Sequence, residues 1–217
     1  GSGHAAKTRV WDTRAREKVW DVLDFDRVSG LAFSPDGRRL AVASGRETIR
    51  IWDVASRAMV QAYPIVPIAA PELAFRPDGT RLATTTWDNA VTICDTATGQ
   101  PLLAFRGHDG QVQDIAFSPD GELVAFGTNA NRVYVYRSSS EQGMLTLRGH
   151  QGAVAGLAFL PGPNRLVSAG SDGTVRLWDL AQRCQVRFLL QQASPVHSIC
   201  CSPQRRAVAA VTADGMI

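Results

Sequence analysis

The sequence predicts an all-β chain built from a repeated four-stranded unit. Five prolines recur in one phase, 42 residues apart and without insertions, at Pro35, Pro77, Pro119, Pro161 and Pro203. Within each period, short apolar runs that suit strands alternate with turns rich in Gly, Pro, Asn and Asp. No segment keeps the 3.6-residue periodicity of an amphipathic helix over three turns. A fixed period in the low forties is typical of repeat architectures.

The clearest unit shows the four predicted strands in order. An apolar stretch over Val154–Phe159 is followed by a proline turn, and a second run covers Arg165–Ala169. An Asp-Gly turn then leads into Thr174–Asp179, which alternates as a half-buried strand should. A less regular fourth strand over Cys184–Leu189 ends the unit.

Composition excludes several classes of protein. The 217 residues (23.4 kDa) are 45% hydrophobic and 20% charged, which fits neither a disordered chain nor a membrane protein. A net charge of +3, carried by scattered residues, is too small to indicate nucleic-acid binding. Almost all basic residues are arginines, a bias typical of GC-rich bacterial genomes.

The cysteine pattern predicts the redox compartment of the protein, and the first residues predict where its domain begins. Cys94, Cys184, Cys200 and Cys201 show no C-x-x-C spacing, and the adjacent pair should point to opposite faces of one strand. A reducing compartment, hence the cytoplasm, is expected. Residues 1–4 look like an expression scar, and residues 5–217 are expected to form the repeat domain.

Several motifs recur in phase with the prolines. They are the Ser-Pro-Asp-Gly turn, the Asp-Gly turn, the terminal Trp-Asp, and the Gly-His pairs that end at His108 and His150. With these motifs, residues 9–217 resemble the WD-repeat β-propeller family. The resemblance implies five four-stranded antiparallel blades arranged around a central channel, with the first strand of each blade innermost.

The resemblance also implies a buried polar tetrad in the fourth repeat. Its members are His150, Ser168, Asp172 and Trp178. Such residues can form a chain of hydrogen bonds from carboxylate through imidazole and hydroxyl to the indole N–H. The other repeats keep only part of the set, namely Trp52 in the first, Thr84 and Asp88 in the second, and His108 in the third. Those repeats are expected to rely on apolar packing.

Catalytic alternatives find less support in the residues. Ser168 lacks the glycine-flanked elbow of a hydrolase nucleophile, and His197 has no second ligand at metal-binding spacing. No G-x-x-x-x-G-K phosphate loop exists, so no cofactor is expected. Glu72 and Asp114 on neighbouring first strands leave one alternative open, a five-bladed carbohydrate-binding or glycoside-hydrolase-like propeller. Arg50 and Arg176 are interpreted as solvated side chains.

The remaining function is recognition of a partner. By resemblance, a protein or peptide would bind the channel face, which is formed by the loops entering the first strands and the turns between second and third strands. The candidate residues there are Arg27, Ser29, Gln111, Gln113 and His197 in the loops, with Trp87, Asn129 and Ser171 near the turns. Trp87 is either an interface anchor or a ring folded over the next blade. The sequence thus predicts a non-enzymatic interaction module or scaffold with no metal, nucleic acid or membrane partner.

The two ends of the sequence look complementary. Residues 214–217 break off at the start of a third strand, whereas Thr8–Asp12 matches the rest of such a strand and Glu17–Leu23 a fourth. This pattern predicts a last blade shared between the two ends, hence a closed five-bladed monomer without open edges. Two alternatives stay open: the ends pair between chains by strand exchange, or a parent chain continues in both directions.

Overall fold

The computed structural model describes residues 7–23, 28–44, 48–64, 72–86, 88–162, 164–202 and 207–215. These residues form twenty strands and no helix, which confirms the all-β prediction. In this part of the chain, therefore, no helix has the length and hydropathy to cross a bilayer.

Four sheets repeat one antiparallel meander of four strands. The first sheet contains β3 (Val28–Phe33), β4 (Arg39–Ser44), β5 (Thr48–Asp53) and β6 (Met59–Pro64). The second contains β7 (Leu73–Phe75), β8 (Arg81–Thr85), β9 (Val91–Asp95) and β10 (Pro101–Phe105). The third contains β11 (Val112–Phe117), β12 (Leu123–Thr128), β13 (Arg132–Arg137) and β14 (Gly143–Arg148). The fourth contains β15 (Val154–Phe159), β16 (Arg165–Gly170), β17 (Thr174–Asp179) and β18 (Cys184–Gln191).

Two hairpins flank these sheets along the chain. The N-terminal hairpin pairs β1 (Lys7–Asp12) with β2 (Glu17–Leu23), and the C-terminal hairpin pairs β19 (Val196–Cys201) with β20 (Val208–Thr212). The fifth proline of the repeat, Pro203, falls outside the described residues.

The Ser-Pro-Asp-Gly turn shows how local sequence sets the strand ends. Ser34 Oγ donates to Asp36 Oδ1 at 2.6 Å and accepts the backbone N–H of Arg39 at 2.8 Å. Gly37 has φ of 68°, a left-handed conformation that costs glycine little because it has no Cβ. The turn therefore closes on its own side chains, and the second strand begins directly after it.

Apolar clusters hold each sheet against the next one along the chain. Between the second and third sheets, for example, Phe105 packs with Phe126 and Ile115. The second strands β4, β8, β12 and β16 are buried along nearly their whole length. First strands of successive sheets contact one another, from β3 through β7, β11 and β15 to β19. The first strands thus line one side of the row of sheets, as the radial arrangement requires.

The two terminal hairpins do not form the shared blade that the sequence predicts. In the described residues, β1–β2 and β19–β20 are separate two-stranded sheets. Each hairpin packs on its neighbour in the chain: Val10 and Val22 share an apolar cluster with Leu40 of the first sheet, and Ile199 shares one with Leu177 of the fourth. Each hairpin therefore continues the row of sheets at its own end of the chain, and no pairing of β1 with β20 occurs among the described residues.

Candidate functional site

Ser168, in the middle of β16, is the centre of a buried polar network. His150 Nε2 lies 2.7 Å from Ser168 Oγ, and Trp178 Nε1 donates to the same oxygen at 2.8 Å. His150 Nδ1 lies 3.0 Å from Asp172 Oδ2. The structure thus brings the four residues of the sequence-derived tetrad into one chain of hydrogen bonds, which ties the loop before β15 to strands β16 and β17.

Asp172 carries the negative charge in this network. Its carboxylate accepts the backbone N–H of Gln151 at 2.8 Å and the Thr174 hydroxyl at 2.7 Å. Burial alone would raise its pKa, but these donors and His150 outweigh burial and lower the pKa of Asp172 to about 2. For His150 burial acts in the other direction and lowers the pKa, because it disfavours the charged imidazolium. The neighbouring Asp172 opposes this shift. With a proton on Nδ1, the neutral imidazole donates to the carboxylate and leaves Nε2 to accept the hydroxyl of Ser168.

Arg176 is a further member of the network that sequence reasoning missed. It is buried rather than solvated, because Nε donates to Thr174 Oγ1 at 3.0 Å and Nη1 to Gln185 Oε1 at 2.8 Å. Its guanidinium also lies 4.8 Å from the centre of the Phe188 ring. The sequence contained one indication of this role, since Arg176 follows Asp172 by four residues. It could not show that Gln185 and Phe188 on β18 cover the guanidinium.

The order of carboxylate, imidazole and hydroxyl reproduces the contacts of a hydrolase triad, yet its burial excludes that role. Ser168 is 0% exposed and His150 is 6% exposed, so no substrate could reach the hydroxyl. The hydroxyl also accepts the indole N–H of Trp178, which a nucleophile would have to give up. The site is a structural one.

The other sheets replace the network with less complete arrangements. In the third sheet, His108 packs edge-on against Phe126 at 4.8 Å between ring centres, and neither of its buried ring nitrogens has a partner in good hydrogen-bond geometry. Burial lowers the pKa of His108, against the opposing effect of nearby backbone groups. In the first sheet, Trp52 Nε1 is buried without a partner, because Val42 occupies the position equivalent to Ser168. Aromatic and apolar packing therefore takes over in these sheets.

Two carboxylates lie at the first strands of neighbouring sheets, Glu72 just before β7 and Asp114 on β11. Burial and the nearby Asp114 raise the pKa of Glu72 to about 7, and burial raises the pKa of Asp114 to about 6. Asp114 uses both oxygens within the fold, accepting the N–H of Ile115 at 2.9 Å and that of Leu157 at 2.7 Å. The second bond joins the third sheet to the fourth, which gives Asp114 a structural role.

The structure describes the side chains of five of the eight channel-face candidates. Trp87 and Arg27 lie outside the described residues, as does the side chain of Ser29. The other five are exposed, namely Gln111, Gln113, Asn129, Ser171 and His197. Gln111 and Asn129 are in contact, because the backbone N–H of Gln111 donates to Asn129 Oδ1 at 2.7 Å.

Backbone hydrogen bonds fix the loops and turns of this face to one another. The N–H of Asn129 donates to the carbonyl of Gln111 at 2.9 Å, and the N–H of Ser171 donates to Ala153 at 2.8 Å. The same link recurs in the C-terminal hairpin, from Ala213 to the carbonyl of Pro195 at 2.9 Å. In each case the turn between second and third strands is tied to the loop that enters the first strand.

Side chains extend this connection from sheet to sheet. Asn89, in the turn of the second sheet, donates through Nδ2 to the carbonyl of Gly110, and its Oδ1 accepts the N–H of Val112 at 3.3 Å. Asn89 has φ of 60°, a left-handed conformation that asparagine tolerates better than most residues. The channel face is therefore a connected surface across the second and third sheets.

Two family models of WD repeats match this chain. The family model described as "WD domain, G-beta repeat" matches residues 99–137 and 142–179. The model described as "Anaphase-promoting complex subunit 4 WD40 domain" matches residues 5–69, so that WD-repeat models together match more than half of the chain. No curated protein sequence matches it.

A solved structure shares the fold. A chain in the "Crystal Structure of Mitotic Checkpoint Complex" superimposes with a TM-score of 0.81 at 22% sequence identity. The match covers 96% of this chain and 65% of that one, so this chain spans less than two thirds of the length of its structural neighbour.

Proposed function

Because the chain belongs to the WD-repeat family, we propose that it is a non-enzymatic interaction module that binds a protein or peptide on its channel face. The observation that carries this proposal is the repeated backbone link between turn and entering loop in the third sheet, the fourth sheet and the C-terminal hairpin. A surface held in this way loses little conformational entropy when a partner binds.

The side chains on this surface suit a polar peptide. The exposed amides of Gln111, Gln113 and Asn129 offer donors and acceptors to a peptide backbone, and the hydroxyl of Ser171 adds another. Ion pairs at the same edge, between Arg106 and Asp88 and between Arg132 and Asp109, leave a surface of mixed charge. We infer a partner without strong net charge.

Peptides selected from a random displayed library test the proposal. Their affinity is measured by fluorescence anisotropy for the wild type, for Gln113→Lys on the channel face, and for Gln100→Lys in the exposed loop between β9 and β10. The two variants carry the same chemical change at exposed positions on opposite faces. Gln113→Lys should weaken binding about tenfold or more, whereas Gln100→Lys should leave it unchanged. If both variants weaken binding equally, the assignment of the binding face is overturned. It is also overturned if no substitution on the channel face changes the affinity of the selected peptides.

The carbohydrate alternative has one observation in its favour, the pair of raised carboxyl pKa values at Glu72 and Asp114. A thermal-shift screen of glycans against peptides separates the two functions. The interaction module predicts stabilisation by selected peptides that Glu72→Gln does not remove. Stabilisation by a glycan, lost in Glu72→Gln, would favour the carbohydrate-binding function instead.

A further inference from the structure

A cleft of about 620 Å³ lies between the first and second sheets, at the opposite end of the strands from the channel face. It is lined by the turns that join first to second strands and third to fourth strands, with Pro35, Pro77 and Ala97 among its residues. Ligand pockets in proteins commonly have volumes of about 300–1,000 Å³. The cleft is therefore large enough to admit part of a partner molecule.

The proline turns of the first three sheets are structurally equivalent. In each, the N–H of a glycine donates at 2.8 Å to the carbonyl of the residue three positions earlier. The glycines are Gly37, Gly79 and Gly121, and the carbonyls belong to Ser34, Arg76 and Ser118. The junction between the first and second sheets can therefore be compared residue by residue with the junction between the second and third.

An arginine fills the junction between the second and third sheets. Arg76 Nε donates to the carbonyl of Gly121 at 3.1 Å, and Arg76 Nη1 donates to Asp78 Oδ2 at 3.1 Å. The side chain occupies the space over Gly121, where an added Cβ would lie 2.8 Å from Nε. The same carbonyl also accepts the hydroxyl of Ser138, so both of its lone pairs are used.

The equivalent place between the first and second sheets is empty in the part of the chain that the structure describes. Ser34 stands where the second sheet has Arg76, and beyond the chain neighbours no atom lies within 4 Å of a Cβ added to Gly79. The carbonyl of Gly79 accepts the hydroxyl of Thr96 at 2.8 Å, and no second donor reaches it from the described residues. The fold thus leaves both an acceptor and the space over it available.

The next junction along the chain is filled in a different way. Between the third and fourth sheets, Leu180 stands at the position of Ser138 and packs in one apolar cluster with Leu123. Two successive junctions therefore close with their own side chains, by an arginine in one and by leucines in the other. The cleft between the first and second sheets lacks both kinds of filling.

The lining of the cleft offers carboxylates to a cation. It contains four aspartates and two arginines, namely Asp36, Asp53, Asp78, Asp95, Arg38 and Arg39. Asp36 is the counterpart of Asp78, and its Oδ1 accepts the Ser34 hydroxyl at 2.6 Å and the N–H of Arg38 at 3.0 Å. Its Oδ2 has no donor among the described residues. A guanidinium over Gly79 would find a second acceptor there.

We propose that this cleft binds an arginine side chain of a partner protein or peptide. Its Nε would donate to the carbonyl of Gly79 and a terminal nitrogen to Asp36, as Arg76 does with Gly121 and Asp78. Arginine fits better than lysine, because a planar guanidinium presents donors in fixed directions whereas an ammonium is a point charge. The site lies on a different face from the channel-face loops and does not depend on them.

A nuclear magnetic resonance titration with the tripeptide acetyl-Gly-Arg-Gly-amide tests the site. The amide signal of Thr80, whose N–H follows the Gly79 carbonyl, should shift saturably. The amide signal of Glu122, which follows the filled carbonyl of Gly121, should not move. The lysine analogue acetyl-Gly-Lys-Gly-amide should bind about tenfold more weakly. Equal affinities for the two peptides, or no saturable shift at Thr80, would refute the proposal.

Filling the cleft from within gives an independent test. Ser34→Arg gives the first sheet the residue that the second sheet has, so its side chain should occupy the space over Gly79 and weaken binding of the arginine tripeptide about tenfold or more. Ser118→Arg is the matched control, because the Ser118 hydroxyl makes the same turn in the third sheet. It should bind the tripeptide like the wild type. If the two variants have the same affinity, the cleft is not the binding site.

Circular dichroism shows whether each variant folds. If Ser34→Arg does not, Asp36→Asn replaces it, since the amide oxygen still accepts the hydrogen bonds of the turn. Asp36→Asn should weaken binding of the arginine tripeptide about fivefold, because the bond to the guanidinium loses its charge. Asp120→Asn, the same change in the third sheet, should leave the affinity unchanged. Equal affinities of these two variants would contradict the proposal.

Discussion

Replacing Asp172 with Asn should weaken the fold in a way that depends on pH. The carboxylate accepts the N–H of Gln151, the hydroxyl of Thr174 and the imidazole of His150. Asparagine keeps one acceptor oxygen but turns an amide N–H₂ toward donors that are themselves buried. Unpaired buried donors are costly, because they lose their hydrogen bonds to water without replacement.

The size of the effect follows from the pKa of Asp172. The fold lowers that pKa from 3.8 to about 2, and the side chain is only 9% exposed. At about 1.4 kcal/mol per pKa unit, the ionised carboxylate contributes on the order of 2 kcal/mol to the free energy of unfolding. Because the pKa is lowered in the folded state, this contribution is complete above about pH 4 and is lost as the pH falls toward about 2.

Urea denaturation, followed by tryptophan fluorescence from pH 7 down to the lowest pH at which the wild type folds, measures this contribution. Asp172→Asn should cost about 2 kcal/mol or more at pH 7, and the difference from the wild type should narrow below about pH 4. Glu122→Gln, at an exposed position, is the control for the loss of a negative charge. A difference that stays constant over the whole pH range would refute the reasoning, since the charge of the carboxylate would then not be the source of the stability.

Two further predictions concern the same network and its absence elsewhere. His150→Ala and Trp178→Phe should each cost about 1–3 kcal/mol, and the double variant should cost less than their sum because both act through one hydroxyl; additive losses in urea denaturation would show that the residues are not coupled. Val42→Thr places a hydroxyl near the unpartnered indole N–H of Trp52, where it can accept a hydrogen bond. It should therefore lower the free energy of unfolding by about 1 kcal/mol less than Val167→Thr, the same substitution at an equally buried position. Equal losses of thermal stability in the two threonine variants would contradict this expectation.

The local structure was largely predictable, because it depends on neighbours in the sequence. The strand predicted over Thr174–Asp179 has those bounds in the structure, since an Asp-Gly turn fixes its start. The prediction that it is half-buried is wrong, because its first five residues are all buried. The fourth strand extends to Gln191 rather than ending at Leu189. Its pattern is irregular because much of it faces solvent at the rim, where burial does not select residue types.

Features that depend on contacts between strands were harder to predict. Alternation places Arg176 on one face of β17, but only the paired strand shows that Gln185 and Phe188 cover it. The sequence predicts that the two ends of the chain are complementary halves of one sheet. Whether these halves meet depends on the angle between successive sheets. That angle is set by the volumes of packed side chains, and no pattern of apolar and polar residues encodes it directly.

The bond from Asp114 to the backbone of Leu157 bears on how the molecule opens. In a row of units that contact only their neighbours, unfolding spreads from the free ends inward unless adjacent units are strongly coupled. This buried carboxylate couples the third and fourth sheets through the main chain itself. Amide hydrogens of β11 and β15 should therefore exchange together and slowly, whereas those of the terminal hairpins exchange first, and the channel face is supported where the row is most cooperative.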